Sequence, residues 1–285
     1  MEITACGTLV PAGARAVLAA DLQCTSEFSS VVLDNGARLD LNGHRVSGAQ
    51  SGIEVRHFNA DGSRCQSCRW TIRGPGVVSD THYIPIGGTL NNSCIKTWGR
   101  GVLRIADVTL RNCEGGGISG GTAHVRATRV TIESTRGGGI AARAVTARHV
   151  VIHDVRFLGI DAETSVAAHD LEVRRVSRHG DEDGYGIRAA EVRGVDVRVG
   201  DNQGDGIRAS ARASLVRLTA TGNAGYGVAA RGFLSLHAST VTGNGTSGAG
   251  VDVASDREPL VRRSSCGLSA HVDDPTSSWG VCSAD

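Results

Sequence analysis

The sequence predicts an all-β fold, a single-stranded parallel β-helix (solenoid) of about ten coils with three short strands in each coil. A Gly-Ile or Gly-Val pair recurs along the chain, and from Ile118 onward successive pairs are 22, 20, 27, 20, 21 and 23 residues apart. A nearly fixed period in the twenties is typical of solenoids. Segments such as Val195–Val199 alternate apolar and other residues, which is the period of a β-strand, and helical periodicity is absent.

The composition agrees with a narrow, stacked interior. Aromatic residues make up only 4% of the 285 residues, whereas glycine occurs 39 times. Small and β-branched side chains must therefore fill the core, as stacked Val, Ile, Leu and Ala do in a solenoid.

The repeat predicts one elongated domain over residues 1–285. The period is clear over 31–254, so 1–30 and 255–285 are expected to cap the two ends. Loops inserted at 56–69 and 80–93 interrupt the first coils. Loops of this size project from a solenoid and often carry binding function.

Charge and hydropathy exclude two classes of partner. The chain carries 30 basic and 29 acidic residues, for a net charge of +1, without a basic tract. A nucleic-acid partner is therefore not expected. No run of 18 apolar residues exists, so no membrane-spanning helix is expected. Oligomeric state is not predicted.

Eight cysteines gather near the ends and in the first irregular coils, where a solenoid lacks neighbours: Cys6, Cys24, Cys65, Cys68, Cys94, Cys113, Cys266 and Cys282. Disulfides at frayed ends fit an oxidising compartment. The expected pairs are Cys6–Cys24, Cys65–Cys68, Cys94–Cys113 and Cys266–Cys282. A four-thiolate zinc site built from the middle two pairs is the alternative.

Localisation follows from the cysteines. The stretch before Cys6 has no signal peptide. The expectation is a secreted or periplasmic protein whose export signal has been removed.

The coil pattern resembles the right-handed parallel β-helix proteins of the pectate-lyase-like superfamily. The resemblance covers about residues 31–254 and rests on the stretches 39–44 and 71–76, on the serial Gly-Ile pairs, and on turn asparagines. The asparagines are Asn112, Asn223 and Asn244.

That superfamily includes polysaccharide lyases, glycoside hydrolases, uronan epimerases and non-catalytic surface proteins, and fold alone does not choose among them. The Asn-Thr-Asp, Asp-Asp and Gly-His-Gly set of polygalacturonases is missing here, as is the Asp-Pro-His-Asp run of alginate epimerases. The resemblance implies a carbohydrate-active protein that binds and cleaves a polysaccharide or another extracellular glycan. The alternatives are a non-catalytic surface protein used for adhesion or assembly, and a β-helix recruited to small-molecule chemistry.

Charged side chains cluster at the longest regular coil, Ile160 to Ile187. Clustered carboxylates, histidine and arginine are the groups that acid/base chemistry on a sugar requires. The predicted catalytic residues are His153, Asp161, Glu163 and Arg188. The predicted substrate-binding residues are Arg143, Arg174, His179, Asp183 and Tyr185. Charges that merely solubilise exposed sheets are the alternative.

Within the cluster, two mechanisms are open. In a lyase, His153 or Arg188 would remove a proton next to a substrate carboxylate. In a hydrolase, Asp161 with Glu163 or Asp183 would supply acid and base, because residues two apart on a strand point the same way.

Two further features stay open. Asp181–Gly184 is either an acidic turn or a calcium site, so calcium is the one cofactor considered, and the cofactor remains unassigned. His82, Tyr83 and Lys96, beside the second inserted loop, form a smaller alternative site.

Overall fold

The structure is a computed structural model that describes residues 1–25, 28–56, 67–82, 92–178, 184–246 and 250–282. These residues form a parallel β-solenoid of about ten turns and include no helix, which confirms the predicted fold class. Consequently, the described chain offers no apolar helix long enough to cross a membrane.

The chain divides into two compact units, residues 1–146 and 147–285. The described strands of the first unit are β1 (Glu2–Ile3), β2 (Thr8–Val10), β3 (Arg15–Leu18), β4 (Leu22–Gln23), β5 (Ser29–Leu33), β6 (Arg38–Asp40), β7 (Arg45–Ser47), β8 (Ser51–Val55), β9 (Cys68–Thr81), β10 (Ile95–Thr97), β11 (Gly101–Cys113), β12 (Ile118–Ser119) and β13 (His124–Thr135). β14 (Ile140–Arg156) includes the division point.

The described strands of the second unit are β15 (Leu158–Ser177), β16 (Tyr185–Gly200), β17 (Ile207–Val216), β18 (Thr219–Thr221), β19 (Val228–Ala230), β20 (Phe233–His237), β21 (Thr240–Thr242), β22 (Val251–Ser255), β23 (Leu260–Arg262), β24 (Ser265–Cys266), β25 (Leu268–His271) and β26 (Asp274–Val281). Strands of successive turns pair in parallel, and β25 with β26 forms an antiparallel hairpin.

In the first unit, the residue after each Gly-Ile glycine stacks on its counterpart in the next turn. Parallel register places these side chains in one buried column: Val31, Ile53, Ile95, Ile118 and Ile140. Residues 1–25 already take part in this register, since Thr8–Val10 pairs with Val31–Leu33.

The second unit has the same column, with one correction to the predicted repeat. Its members are Ile160, Ile187, Ile207, Val228 and Val253. The last Gly-Val pair in the sequence is Gly250-Val251, yet Val253 pairs with Val228. The intervening Asp252 is buried and caps a hydrogen-bonded column, and this explains the two-residue displacement.

Glycine precedes the stacked residue because the turns approach each other closely at that point. A Cβ on Gly186 would lie 2.5 Å from the carbonyl oxygen of Gly206, and one on Gly206 would lie 2.6 Å from that of Gly227. Contacts this short are forbidden, so only glycine fits at these two corners.

The three short strands predicted for each turn often merge into one long strand, 20 residues in β15. The corner between middle and third strands is a single residue with left-handed dihedrals, such as Asp196 (φ 56°) and Arg217 (φ 53°). Pairing therefore continues almost without interruption. Side chains at equivalent corners of successive turns form ion pairs. For example, Arg217 Nε donates to Asp196 Oδ1 at 2.6 Å.

A buried amide column, here called the Asn ladder, runs through the second unit. Each side chain donates its Nδ2 hydrogen to the Oδ1 of the next: Asn202 to Asn223, Asn223 to Asn244, and Asn244 to Asp252, each at 2.8 Å. The column ends on Asp252, an acceptor without a donor of its own when ionised.

Three disulfides join pairs that the sequence predicts: Cys6–Cys24, Cys94–Cys113 and Cys266–Cys282. Cys68 is also disulfide-bonded, while its predicted partner Cys65 lies outside the described residues. The thiols of Cys94 and Cys113 are consumed, so they are not free to bind zinc in the alternative site.

Candidate functional site

An open groove in the second unit brings together three of the predicted catalytic residues. It has a volume of about 360 Å³, and Asp161, Glu163 and Arg188 line it. We call it the Asp161 groove. The other lining residues are Ala162, Ala189, Ala190, Arg208, Ala209, Ser210, Ala229, Arg231 and Val272.

Strand register creates the groove. Asp161, Arg188, Arg208 and Ala229 occupy equivalent outward positions in four successive turns. Adjacent strands are about 4.8 Å apart, so this row is about 15 Å long. Most of the uncharged lining residues are alanine or serine, and their small side chains leave room above the sheet.

Asp161 and Arg188 form a bidentate ion pair between adjacent turns. Arg188 Nε donates to Asp161 Oδ1 and Arg188 Nη2 to Oδ2, both at 2.9 Å. The pair fixes the orientation of both groups. Arg188 is therefore suited to binding an anionic group and not to removing a proton.

Glu163 lies on the same strand as Asp161, in an irregular stretch where the pairing with the next turn shifts register. Its side chain is exposed, and it makes no ion pair with the described residues. Of the two groove carboxylates, Glu163 is thus the one open to a ligand.

Tyr185 holds the Arg208 guanidinium in place. Its Nη1 donates to the Tyr185 hydroxyl at 2.7 Å, and its guanidinium carbon lies 5.3 Å from the ring centroid. Nη1 is also 3.4 Å from the buried carboxylate of Asp205. Tyr185 is 8% exposed, so it reaches the groove through Arg208.

His153 does not line the Asp161 groove. Its Nδ1 is 2.7 Å from Asp154 Oδ2, and Arg175 donates to both carboxylate oxygens of Asp154, at 2.6 and 2.8 Å. The Arg175 guanidinium, aided by His153, holds the pKa of Asp154 well below its usual range. Asp154 and Arg175 both have left-handed dihedrals, so this cluster is a corner pair of the solenoid.

Replacing Arg175 by glutamine is expected to destabilise the protein at neutral pH and to do so less in acid. A carboxyl whose pKa is depressed by folding contributes stability above its unfolded pKa, near 3.8, and loses it as pH falls through the folded value. Urea unfolding at pH 7, 4 and 3 measures the difference from the native chain, which should shrink below about pH 4.

The matched control is Arg156→Gln, which removes an exposed arginine that makes no ion pair with the described residues. Its effect should be small and independent of pH. An Arg175→Gln effect that is the same at pH 7 and pH 3 would contradict the assignment.

The remaining predicted residues lie elsewhere. Arg174 lines a smaller groove with Glu172 and Arg198 on the third strands of the second unit. Arg143 belongs to the first unit, where it lines a separate pocket. His179 and Asp183 lie outside the described residues, as does the rest of the possible calcium turn at 181–183.

No group of three or more His, Cys, Asp or Glu suited to a metal occurs in the parts of the chain that the structure describes. Within the smaller alternative site, Lys96 Nζ lies 3.9 Å from the ring centroid of Trp98. Burial lowers the pKa of Lys96, although Glu54 acts in the opposite direction. Tyr83 lies outside the described residues.

Comparison of the chain with family models, curated proteins and solved structures finds no match.

Sequence reasoning did not assign Arg208 and Arg231 to the site. Arg208 repeats Arg188 after 20 residues in the same Gly-Ile-Arg-Ala tetrapeptide, so the repeat itself carried that signal. Arg231 occurs one residue past the strand end and pairs with Asp273 at 3.3 Å. Nothing in the local sequence of Arg231 indicates that contact.

Proposed function

We propose that this protein is an exported carbohydrate-active protein that binds a polysaccharide in the Asp161 groove and cleaves it. The observation that carries the proposal is the convergence of Asp161, Glu163 and Arg188 in one open groove. The resemblance to pectate-lyase-like proteins and the three disulfides are consistent with it, since disulfides persist in oxidising compartments.

The groove favours an anionic chain. Arg188, Arg208 and Arg231 line it against two carboxylates, and aromatic side chains are absent from its lining. Guanidinium groups match carboxylate and sulfate geometry with two parallel hydrogen bonds. A linear polysaccharide lying along the row of about 15 Å would meet an arginine on each of three successive turns, Arg188, Arg208 and Arg231.

Asp161 and Glu163 provide the cleavage chemistry in this proposal. Residues two apart on a strand are separated by about 7 Å, which is within the range of carboxyl separations in inverting glycosidases. Asp161, oriented by Arg188, acts as the base that activates water. Glu163, which faces solvent, acts as the acid that protonates the leaving oxygen. No cofactor is assigned to either step.

A non-catalytic binding surface is the second candidate. The observation that favours it is that Asp161 and Arg188 already neutralise each other and that His153 lies outside the groove. In that case the groove would hold a glycan for adhesion or assembly without cleaving it.

A screen of neutral, carboxylated and sulfated polysaccharides tests the proposal. Binding is measured by calorimetry, and cleavage by new reducing ends together with the absorbance of unsaturated uronates. We expect binding of at least one anionic polysaccharide with release of reducing ends but without unsaturated products. Binding without products would establish the second candidate, and absence of binding to every polysaccharide would refute both.

A further inference from the structure

A row of arginines in the first unit lacks the carboxylate partners that arginines have elsewhere. Parallel register stacks Arg15 on Arg38, Arg38 on Thr71, Thr71 on Arg104, and Arg104 on Arg126. All four arginines are exposed. We call this row, about 20 Å long at 4.8 Å per turn, the arginine strip.

The solenoid normally balances such stacked charges. In the same unit, Arg129 pairs with Asp107 and Arg136 with Glu114, each from the turn before. The four strip arginines make no ion pair with the described residues. Like charges facing each other on adjacent strands destabilise a sheet. A strip that opposes stability in this way is suited to binding an external anion.

A pocket beside the strip adds further positively charged side chains. It has a volume of about 430 Å³, and Arg69, Arg100, Arg143 and His124 line it without any carboxylate. Arg69 and His124 belong to the same middle strands as the strip, two residues before its row. Burial, together with Arg126 and Arg143, lowers the pKa of His124, which reflects the positive field there.

The charge is specific to this unit. Residues 1–146 contain 15 Arg and Lys against 11 Asp and Glu, whereas residues 147–285 contain 15 against 18. The net charge of +1 for the whole chain hides this asymmetry. The excess positive charge of the first unit therefore favours an anionic ligand there.

We propose that the arginine strip and its adjoining pocket form a second binding site, which holds an extended anionic polysaccharide. The regular spacing of the arginines suits a linear chain whose carboxylates or sulfates repeat. Single-stranded nucleic acid is less suited, because neither the strip nor the pocket lining includes a Phe, Tyr or Trp on which bases could stack. This site involves none of the residues of the Asp161 groove, so it serves attachment and not cleavage.

The test measures the affinity of the full chain for four probes by fluorescence anisotropy at 50 and 200 mM salt. The probes are heparin, polygalacturonate, neutral dextran and oligo-deoxythymidine. We expect binding of heparin, polygalacturonate or both, weakened by salt because exposed charges are screened, and absence of dextran binding. Heparin alone would identify sulfate as the recognised group, and polygalacturonate alone would identify carboxylate.

Three double variants locate the site, of which the two glutamine variants each remove two positive charges. Arg38→Gln with Arg104→Gln should weaken binding about tenfold or more, and Arg38→Lys with Arg104→Lys should weaken it less, because lysine keeps the charge but not the two parallel hydrogen bonds. The matched control is Arg56→Gln with Arg136→Gln, two exposed arginines that pair with Glu54 and Glu114. It should leave affinity within about twofold.

Equal losses in the strip variant and the control would overturn the proposal, because binding would then follow net charge alone. Binding of the deoxythymidine probe in preference to both polysaccharides would overturn it in favour of a nucleic-acid site. Absence of binding to all charged probes would also overturn it. Because Arg208→Gln removes a binding arginine from the Asp161 groove and leaves the strip intact, the heparin or polygalacturonate affinity of this variant separates failure here from failure of the Asp161 groove.

Discussion

Replacing Asn223 by alanine is expected to lower the free energy of unfolding by on the order of 3 kcal/mol. Asn223 is fully buried and accepts a hydrogen bond from Asn202 while donating to Asn244 and to the carbonyl of Val199. Its removal leaves the Asn202 amide without its acceptor in a site that water does not reach. A buried donor without a partner costs more than the lost bond itself contributed. Chemical denaturation followed by circular dichroism measures the change.

Asn112→Gly is the control for this variant. Asn112 also sits in a turn, but it is exposed and donates a hydrogen bond to Asp80 at 3.0 Å. Glycine tolerates its φ of 52°. We expect a loss below about 1 kcal/mol. Similar losses in the two variants would contradict a specific role for the Asn ladder.

Replacing Glu163 by glutamine is expected to reduce kcat on the cleaved polysaccharide by about 10²–10⁴-fold, because the variant lacks the acid that protonates the leaving oxygen. Binding should change little, since glutamine keeps the size and hydrogen-bonding capacity of the side chain. Asp161→Asn should reduce kcat by a similar factor, and it should also weaken binding because Arg188 loses its partner. Steady-state kinetics with the substrate from the screen separates kcat from KM.

Glu172→Gln is the matched control, because Glu172 pairs with Arg174 in a different groove of the same unit. Its kinetics should equal those of the native chain. Full turnover by Glu163→Gln would refute the catalytic assignment of this residue and would leave the groove as a binding surface at most.

The fold was predictable because a solenoid repeats its constraints. Most turns place glycine where backbones approach closely, as at Gly186, and an aliphatic residue in the central column. These demands recur at one period, so the sequence displays them many times. The Gly250-Val251 pair misled because the repeat ends there: Asp252 is placed to cap the Asn ladder, and that requirement displaces the register by two residues.

The asparagines show a second limit of structure prediction from this sequence. Sequence alone treats Asn112, Asn223 and Asn244 alike, as turn residues. The structure buries the latter two in a hydrogen-bonded column and leaves Asn112 exposed. Burial depends on neighbouring turns, and a single turn does not encode it.

The candidate site was predictable in part. Alternation within one strand places Asp161 and Glu163 on the same face, and the repeat places Arg188 beside them. His153 is close in sequence but lies on a third strand, so proximity along the chain overestimated its proximity in space. The arginine strip was missed because the inserted loop at 56–69 breaks the period. Arg38 and Arg104 are 66 residues apart, yet only one turn separates them.

The most direct test of the central claim is a crystal structure of the protein with an oligosaccharide of the polysaccharide found by the screen. The account predicts the sugar in the Asp161 groove, with an anionic group on Arg188 or Arg208 and a glycosidic oxygen within hydrogen-bonding distance of Glu163. An oligosaccharide bound elsewhere on the molecule, with the groove empty, would contradict it.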